Sequence, residues 1–274
     1  VSFFGGMRAP PTPTMRIRDF DFNQSIDGFT FEAYKSAGDY QMIYGLDIEN
    51  TETERPRMLT EMNLITGMST NIVDGETYPN KTFPDSETKR KALFFNNRFG
   101  LSDYSVLTLG FRYDDYELNT SPDLLLSNAN ILSYQINNTK DSAFSLKLGY
   151  LQDLSENLTG FVQYAEGFKA PNYETSNTVF TNYLYFYTVT PNPNLESEES
   201  DTLEVGLRGS SENDSWELAI YKSEVEGFIN PQIVGFNRGL GIYQYQNADN
   251  VEIQGIEFDY KRSLNEQLSF NLAA

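Results

Sequence analysis

Apolar and polar positions alternate with a period of two along much of this 274-residue chain. In VLTLGFRY, Leu107, Leu109, Phe111 and Tyr113 fall on one side, against Thr108, Gly110 and Arg112. AFSLKLGY sets Phe144, Leu146, Leu148 and Tyr150 against Ser145, Lys147 and Gly149. TLEVGLRG sets Leu203, Val205 and Leu207 against Glu204, Gly206 and Arg208. SWELAIYKS sets Trp216, Leu218 and Ile220 against Glu217, Ala219 and Tyr221, and QLSFNLAA adds Leu268, Phe270 and Leu272. Successive side chains of a strand point to opposite sides, so each stretch predicts a strand with one apolar and one polar face. Helical periodicity is hard to find. The pattern predicts roughly ten to eleven strands, near residues 17–22, 29–36, 41–49, 92–101, 104–117, 142–153, 158–167, 201–209, 215–228, 250–262 and 267–274.

Alternation alone fits two architectures. A soluble sandwich turns its polar faces to water; a transmembrane barrel turns its apolar face to lipid and its polar face to a wet lumen. The connections favour the barrel. Short polar turns at 153–157, 210–215 and 263–267 take turns with long segments at 50–91, 117–141, 168–200 and 228–249. Outer-membrane barrels have this asymmetry, with short periplasmic turns and long extracellular loops. Compact soluble domains seldom carry several structureless loops longer than about 15 residues. No window approaches the roughly 20 apolar residues of a membrane helix, and VSFFGGMRAP lacks the apolar stretch of a signal peptide. Neither observation bears on a barrel, whose strands need only about 10 alternating residues. The final strand is still running at NLAA. An open edge in lipid would leave backbone groups unpaired, so the pattern predicts part of a longer barrel.

Composition narrows the chemistry. Net charge is −19, from 39 acidic and 20 basic residues, which disfavours nucleic acid as a partner. There is no cysteine and no histidine. Disulfides, thiol chemistry and His-dependent nucleophilic catalysis are therefore absent from the chain, as is the commonest metal ligand. The 18 Tyr and 20 Phe exceed the needs of a plain core; tyrosine suits places where one end of a side chain is apolar and the other wet. The reading is of a protein that binds or transports rather than an enzyme.

Several segments resemble the TonB-dependent outer-membrane receptors, in particular their haem and haemoglobin branch. YAEGFKAPNY resembles the box in which Phe-Arg-Ala-Pro follows a strand, and NPNLESEESDTLEVGLRG the Asn-Pro-Asn-Leu box that leads into the next. YGLDIENTETERPR, FPDSETKRKALFF, GFRYDDYEL and NVEIQGIEFDY are similar to other receptor segments, in the right order, and the resemblance covers most of residues 27–274. It implies an all-β, antiparallel barrel of about 22 strands in the outer membrane of a Gram-negative bacterium. Residues 1–274 would supply part of that barrel domain. The resemblance further implies a plug domain, not seen in this sequence, through which a TonB energy-transducing complex acts. No permanent cofactor is implied; haem, a haem protein or a ferric siderophore would be the transported ligand. A passive porin and a soluble all-β binding module are the alternatives from other classes.

The same resemblance nominates ligand-binding loop residues: Phe168, Lys169, Ala170 and Pro171 from the first box, and Asn192, Pro193, Asn194 and Leu195 from the second. Bracing the feet of the loop at the barrel rim is the competing role for both boxes. Two departures stand out. Lys169 replaces the usual Arg, keeping the charge but losing the planar fork. Residues 172–191 lack the histidine that this branch carries between the boxes. Tyrosine phenolate also ligates ferric haem, and Tyr183, Tyr185 and Tyr187 alternate within NYLYFYTV, which predicts one strand face carrying all three. A strand that simply extends the barrel above the membrane is the preferred reading, and haem contact the alternative. Glu196, Glu198, Glu199 and Asp201 suit either a hard cation or a solvated acidic run, and the run is preferred. GFNRGLG has no strand-to-helix context for phosphate and reads as a loop.

Overall fold

The computed structural model describes residues 12–248, 250–265 and 267–274; the VSFFGGMRAP stretch lies outside them. The first strand is β1 (Thr14–Phe20), followed by the long pair β2 (Asn23–Ala37) and β3 (Tyr40–Glu54). An insert carries β4 (Arg57–Asn63), β5 (Ser69–Thr70), β6 (Ile72–Val73) and β7 (Glu76–Thr77). Then come β8 (Asp85–Ser102), β9 (Ser105–Ser121), the short helix α1 (Leu124–Ala129), β10 (Thr139–Ser155) and β11 (Leu158–Lys169). A helical turn, α2 (Tyr173–Asn177), and the hairpin β12 (Phe180–Asn182) and β13 (Tyr187–Thr190) lead to β14 (Glu198–Ser210) and β15 (Asp214–Glu226). The hairpin β16 (Ile229–Asn237) and β17 (Leu240–Asn247) precedes β18 (Val251–Asn265) and β19 (Leu268–Ala273).

Ten of these strands form one antiparallel sheet in the order β19-β18-β15-β14-β11-β10-β9-β8-β3-β2. Its register turns the alternation read from single strands into continuous faces. Phe99, Leu107, Tyr150, Val162, Val205, Ile220 and Ile256 are successive cross-strand partners. So are Leu46, Leu93, Tyr113 and Phe144 higher up. The opposite face reads Arg98, Thr108, Gly149, Gln163, Glu204, Tyr221 and Gly255. A one-residue slip anywhere would exchange the two faces, so the pattern itself fixes the register. Among the described residues no second sheet packs on the apolar side: Val205, Ile220 and Ile256 are 51%, 57% and 67% exposed. An uncovered apolar face of this extent is foreign to a water-soluble sandwich and proper to lipid contact. Trp216 and Tyr260 pair at its lower margin, where amphipathic rings meet a membrane interface.

The polar face is tiled with ion pairs and with aromatic rings laid over glycine. Arg112 bonds Asp47 and Asp114 at 2.9 Å, and Arg208 bonds Glu217 at 2.7 Å. The Phe161 ring lies over Gly206 and the Phe94 ring over Gly45, so that a Cβ at either glycine would overlap a ring. Arg208 caps Phe161 at 4.5 Å and Arg112 caps Phe94 at 5.9 Å, a cation over each ring face.

Tight turns of two or three residues join β2 to β3, β8 to β9, β10 to β11 and β14 to β15. The long connections therefore all leave from the opposite, upper end of the sheet. Three are shorter than the sequence predicts, spanning 55–84, 122–138 and 170–197, because the strands run on past the alternating stretch; the fourth, 227–250, is slightly longer than expected. At those heights both faces are polar, as in the pairs Thr51 with Thr88 and Glu52 with Glu87, and a strand wetted on both sides leaves no period-two signal. The strand predicted at 17–22 is corrected too. It is β1, which pairs with β4 in a separate three-stranded sheet rather than in the main one.

Candidate functional site

The connections fold together. β12, β13, β17 and β16 form a four-stranded sheet in that order, with β13 and β17 parallel, so hairpins from two different connections share one ladder. Its neighbours are locked by buried polar groups. The Arg57 guanidinium sits against the rings of Phe20, Tyr78 and Phe180 at 5.3, 5.4 and 5.1 Å and pairs with Glu76. Burial and the Glu76 charge push the Tyr78 hydroxyl above its ordinary pKa. Lys81 reaches Asp85 at 2.6 Å and Asp123 at 2.8 Å. Asp123 also caps α1 by accepting from Leu126 N–H at 2.9 Å. Burial alone would raise the Asp123 carboxyl; the hydrogen bonds from Lys81 and Leu126 outweigh it, and its pKa is lowered.

The two sequence boxes meet at the top of the β11–β14 ladder. Phe168 pairs with Glu199 and Lys169 with Glu198. Lys169 Nζ lies 2.8 Å from Glu198, whose other oxygen accepts from Ile229 N–H at 2.8 Å. Ala170 follows, and the Pro171 carbonyl accepts from the Tyr116 hydroxyl at 3.0 Å. Asn192 is buried, donating to the Tyr245 carbonyl at 2.8 Å and accepting from Asn194 N–H at 3.0 Å. Pro193 and Asn194 are exposed and Leu195 is half-buried. Within the acidic run, Glu198 is thus committed to Lys169 and to the backbone.

The tyrosines do not share a strand face, which corrects the reading of NYLYFYTV. Residues 183–186 are the turn of the β12–β13 hairpin, with Phe186 at φ 57°, and Asn182 accepts from Leu184 and Tyr185 N–H to close it. The turn chemistry of Asn182 overrides the alternation. Tyr183 lays its ring on Gly75 of the neighbouring connection. Tyr185 stands at the tip, 72% exposed. Tyr187 packs edge-on against Phe180 and Tyr243.

Of the three, Tyr183 alone borders a cleft of about 660 Å³ between the connections. Its walls are mainly apolar, among them Ile131, Leu132, Phe180, Val189 and Ile242, with Arg238 at the edge. Arg238 and Gly239 form the β16–β17 turn, at φ 49° and 85°. A cavity of this size, greasy with few polar groups, has the character of a small-molecule site. The sequence reading missed the Ile131–Leu132 wall and Arg238. The available signals were two consecutive aliphatics in a polar connection and an arginine within a glycine-rich turn.

Residues 3–274 match the family described as TonB dependent receptor-like, beta-barrel, and the chain belongs to it. That family comprises outer-membrane receptors and transporters, not enzymes, and membership sets aside the soluble binding module. Among relatives, the hemoglobin-haptoglobin utilization protein B of Neisseria meningitidis is 24% identical in an alignment of 197 residues that covers 64% of this chain and 24% of that protein. A probable hemoglobin and hemoglobin-haptoglobin-binding protein 1 of Haemophilus influenzae is 32% identical over 124 residues, 41% of this chain and 11% of that one. The chain thus spans about a quarter or less of the length of these relatives. The copper transporter OprC superposes with a TM-score of 0.66 at 15% identity, over 91% of this chain and 36% of its own. The Serratia marcescens hemophore receptor HasR gives 0.60 at 16%, over 91% and 40%. At such identities the two structures speak for the fold alone: a partial, strand-rich receptor barrel.

Proposed function

We propose that residues 1–274 form part of the barrel of an active transporter that admits haem, alone or from a haem protein, from outside the cell. A plug domain and a TonB complex, both outside this chain, would supply the moving part and the energy. The single observation that carries the reading is the cleft: apolar walls to cover a flat ring system, Arg238 for a peripheral carboxylate, and Tyr183 as a phenolate for ferric iron. Five relatives bearing haemoglobin or haemoglobin-haptoglobin names lend support. The absence of histidine favours a second reading, a ferric siderophore, which needs no axial ligand from the protein. A ferric enterobactin receptor is among the relatives. The boxes at Phe168–Pro171 and Asn192–Leu195 then serve mainly to hold the loop that carries Tyr183.

The test is a haem titration of the full-length receptor. Tyr183→Phe should abolish a high-spin ferric phenolate spectrum while keeping ring and packing, and Tyr185→Phe and Tyr187→Phe should leave it intact. An unchanged spectrum in Tyr183→Phe removes the tyrosine from the iron. No haem binding by the unmutated receptor transfers the reading to the siderophore.

A further inference from the structure

β11 has two unlike edges. Toward β14 its ladder is complete, up to Lys169 and Glu198. Toward β10 it stops at Lys147 and Ala165, although β10 continues to Thr139, still paired with β9. Above that row the strands part. Edge groups that the β11 backbone would normally take are satisfied by carboxylates instead: Leu146 N–H donates to the side chain of Glu166, the β11 residue opposite it, which bridges the base of the parting, and Ser142 N–H to Asp141, each at 2.8 Å. A Cβ at Gly167, the position that would face Ser145, would meet Ser200 of β14 and no atom of β10 within 4 Å. Higher still the gap closes, where Asn177 accepts from Asn137 N–H at 2.9 Å and donates to its carbonyl at 3.0 Å. The result is a lens-shaped parting in the sheet, sealed below by the ladder and above by an Asn–Asn clasp. A recess of about 670 Å³ borders it, reaching Phe111 and Leu146 as well as Arg112 and Lys147.

Its height follows from the register. On β11, β14, β15 and β18 the apolar face gives way to the row Glu166, Asp201, Glu224 and Glu252, directly above Tyr164 and Leu203. The parting therefore lies at the upper border of the lipid-facing band. Apolar side chains flank it on the lipid side, where the tilted rings of Phe111 and Phe144 pack 5.7 Å apart. Lys147 faces the other side at its base, with no carboxylate within ion-pair distance among the described residues. Arg112, by contrast, is saturated by Asp47 and Asp114.

We propose that this parting is a lateral binding slot for an anionic lipid of the surrounding bilayer, chains against Phe111, Phe144 and Leu146, headgroup drawn inward to Lys147. The proposal rests on the transmembrane-barrel reading, and its test separates the two. The full-length receptor, carrying single cysteines labelled with bimane, is placed in phosphatidylcholine vesicles doped with nitroxide-labelled phosphatidylcholine or phosphatidylglycerol. Val205→Cys should be quenched equally by both lipids, and polar-face Gln163→Cys by neither. Ser145→Cys, also on the polar face but beside the parting, should be quenched, and about fivefold more readily by the anionic lipid, the preference one lysine at a membrane surface supplies. Lys147→Gln should erase that preference and leave the quenching by phosphatidylcholine. The slot is refuted if Ser145→Cys behaves like Gln163→Cys, or if the two lipids quench it alike. An unquenched Val205→Cys would instead defeat the barrel.

Discussion

The sheet and the connection assembly above it are stabilised by opposite means. In the sheet, apolar side chains face outward and uncovered, while charges pair with one another on the inner face. In the assembly the arrangement is that of a water-soluble domain: Phe83, Leu126, Val73 and Val179 are fully buried, and Arg57 and Lys81 sit nearly enclosed by rings and carboxylates. One chain thus obeys two solvents. The same substitution should have opposite consequences in the two regions.

The sharpest way to break this comparison is to put charge where lipid should be. Val205→Arg or Ile220→Arg should destabilise the full-length receptor in vesicles by about 2–4 kcal/mol in denaturant unfolding. In a water-exposed sheet the same changes would be nearly neutral, and that result would dissolve the distinction. Gly206→Ala is the next largest, at about 1–3 kcal/mol from overpacking. A Cβ there overlaps the Phe161 ring and lies 2.6 Å from the Leu218 carbonyl, so Phe161→Ala should relieve only part of the loss. In the assembly, Lys81→Met should cost about 1–2 kcal/mol, because Asp85 and Asp123 keep some access to water. Its readout is faster proteolysis within 124–138, with the sheet unaffected.

The smallest effect is one of pH. Asp123 has a lowered pKa, so its contribution is present above the ordinary carboxylate value and lost as pH falls through the lowered one. Lys81 has a raised pKa, burial lowering it and the hydrogen bonds from Asp123 and Asp85 more than compensating. Its contribution is lost only as pH rises through that raised value. Protection of Leu126 N–H, its exchange relative to an unstructured amide at the same pH, should therefore hold across neutral pH and fall in acid below the ordinary carboxylate range.

The sequence is legible where one face of a strand meets lipid. There Leu107, Val205 and Trp216 all lie on the face their alternation implied, and all four long connections leave from one end. It became illegible above that level, for a physical reason: Thr51, Glu52 and Glu87 are solvated on both sides, and periodicity carries no information when the two sides match. The site suffered further because it is assembled from distant segments. Ile131, Tyr183 and Arg238 come from three different connections and share a cleft beside the parallel pairing of β13 with β17, which no local pattern encodes. The Tyr183–Tyr187 error had a local cause, since Asn182 could have been read as the turn-former it is.

The alternation of tight turns with long connections also divides the order of assembly. Strands joined by two residues have ends already in proximity, and their ladders can zip with little loss of chain entropy. The seams β3–β8 and β11–β14 instead close loops of about 30 residues, and each doubling of loop length adds only about 0.6 kcal/mol. That penalty is modest in equilibrium terms, yet it delays non-local pairing relative to local pairing. Hairpins would then be the kinetic units of this sheet, and the long seams, each carrying its own folded insert, the late and rate-setting joins.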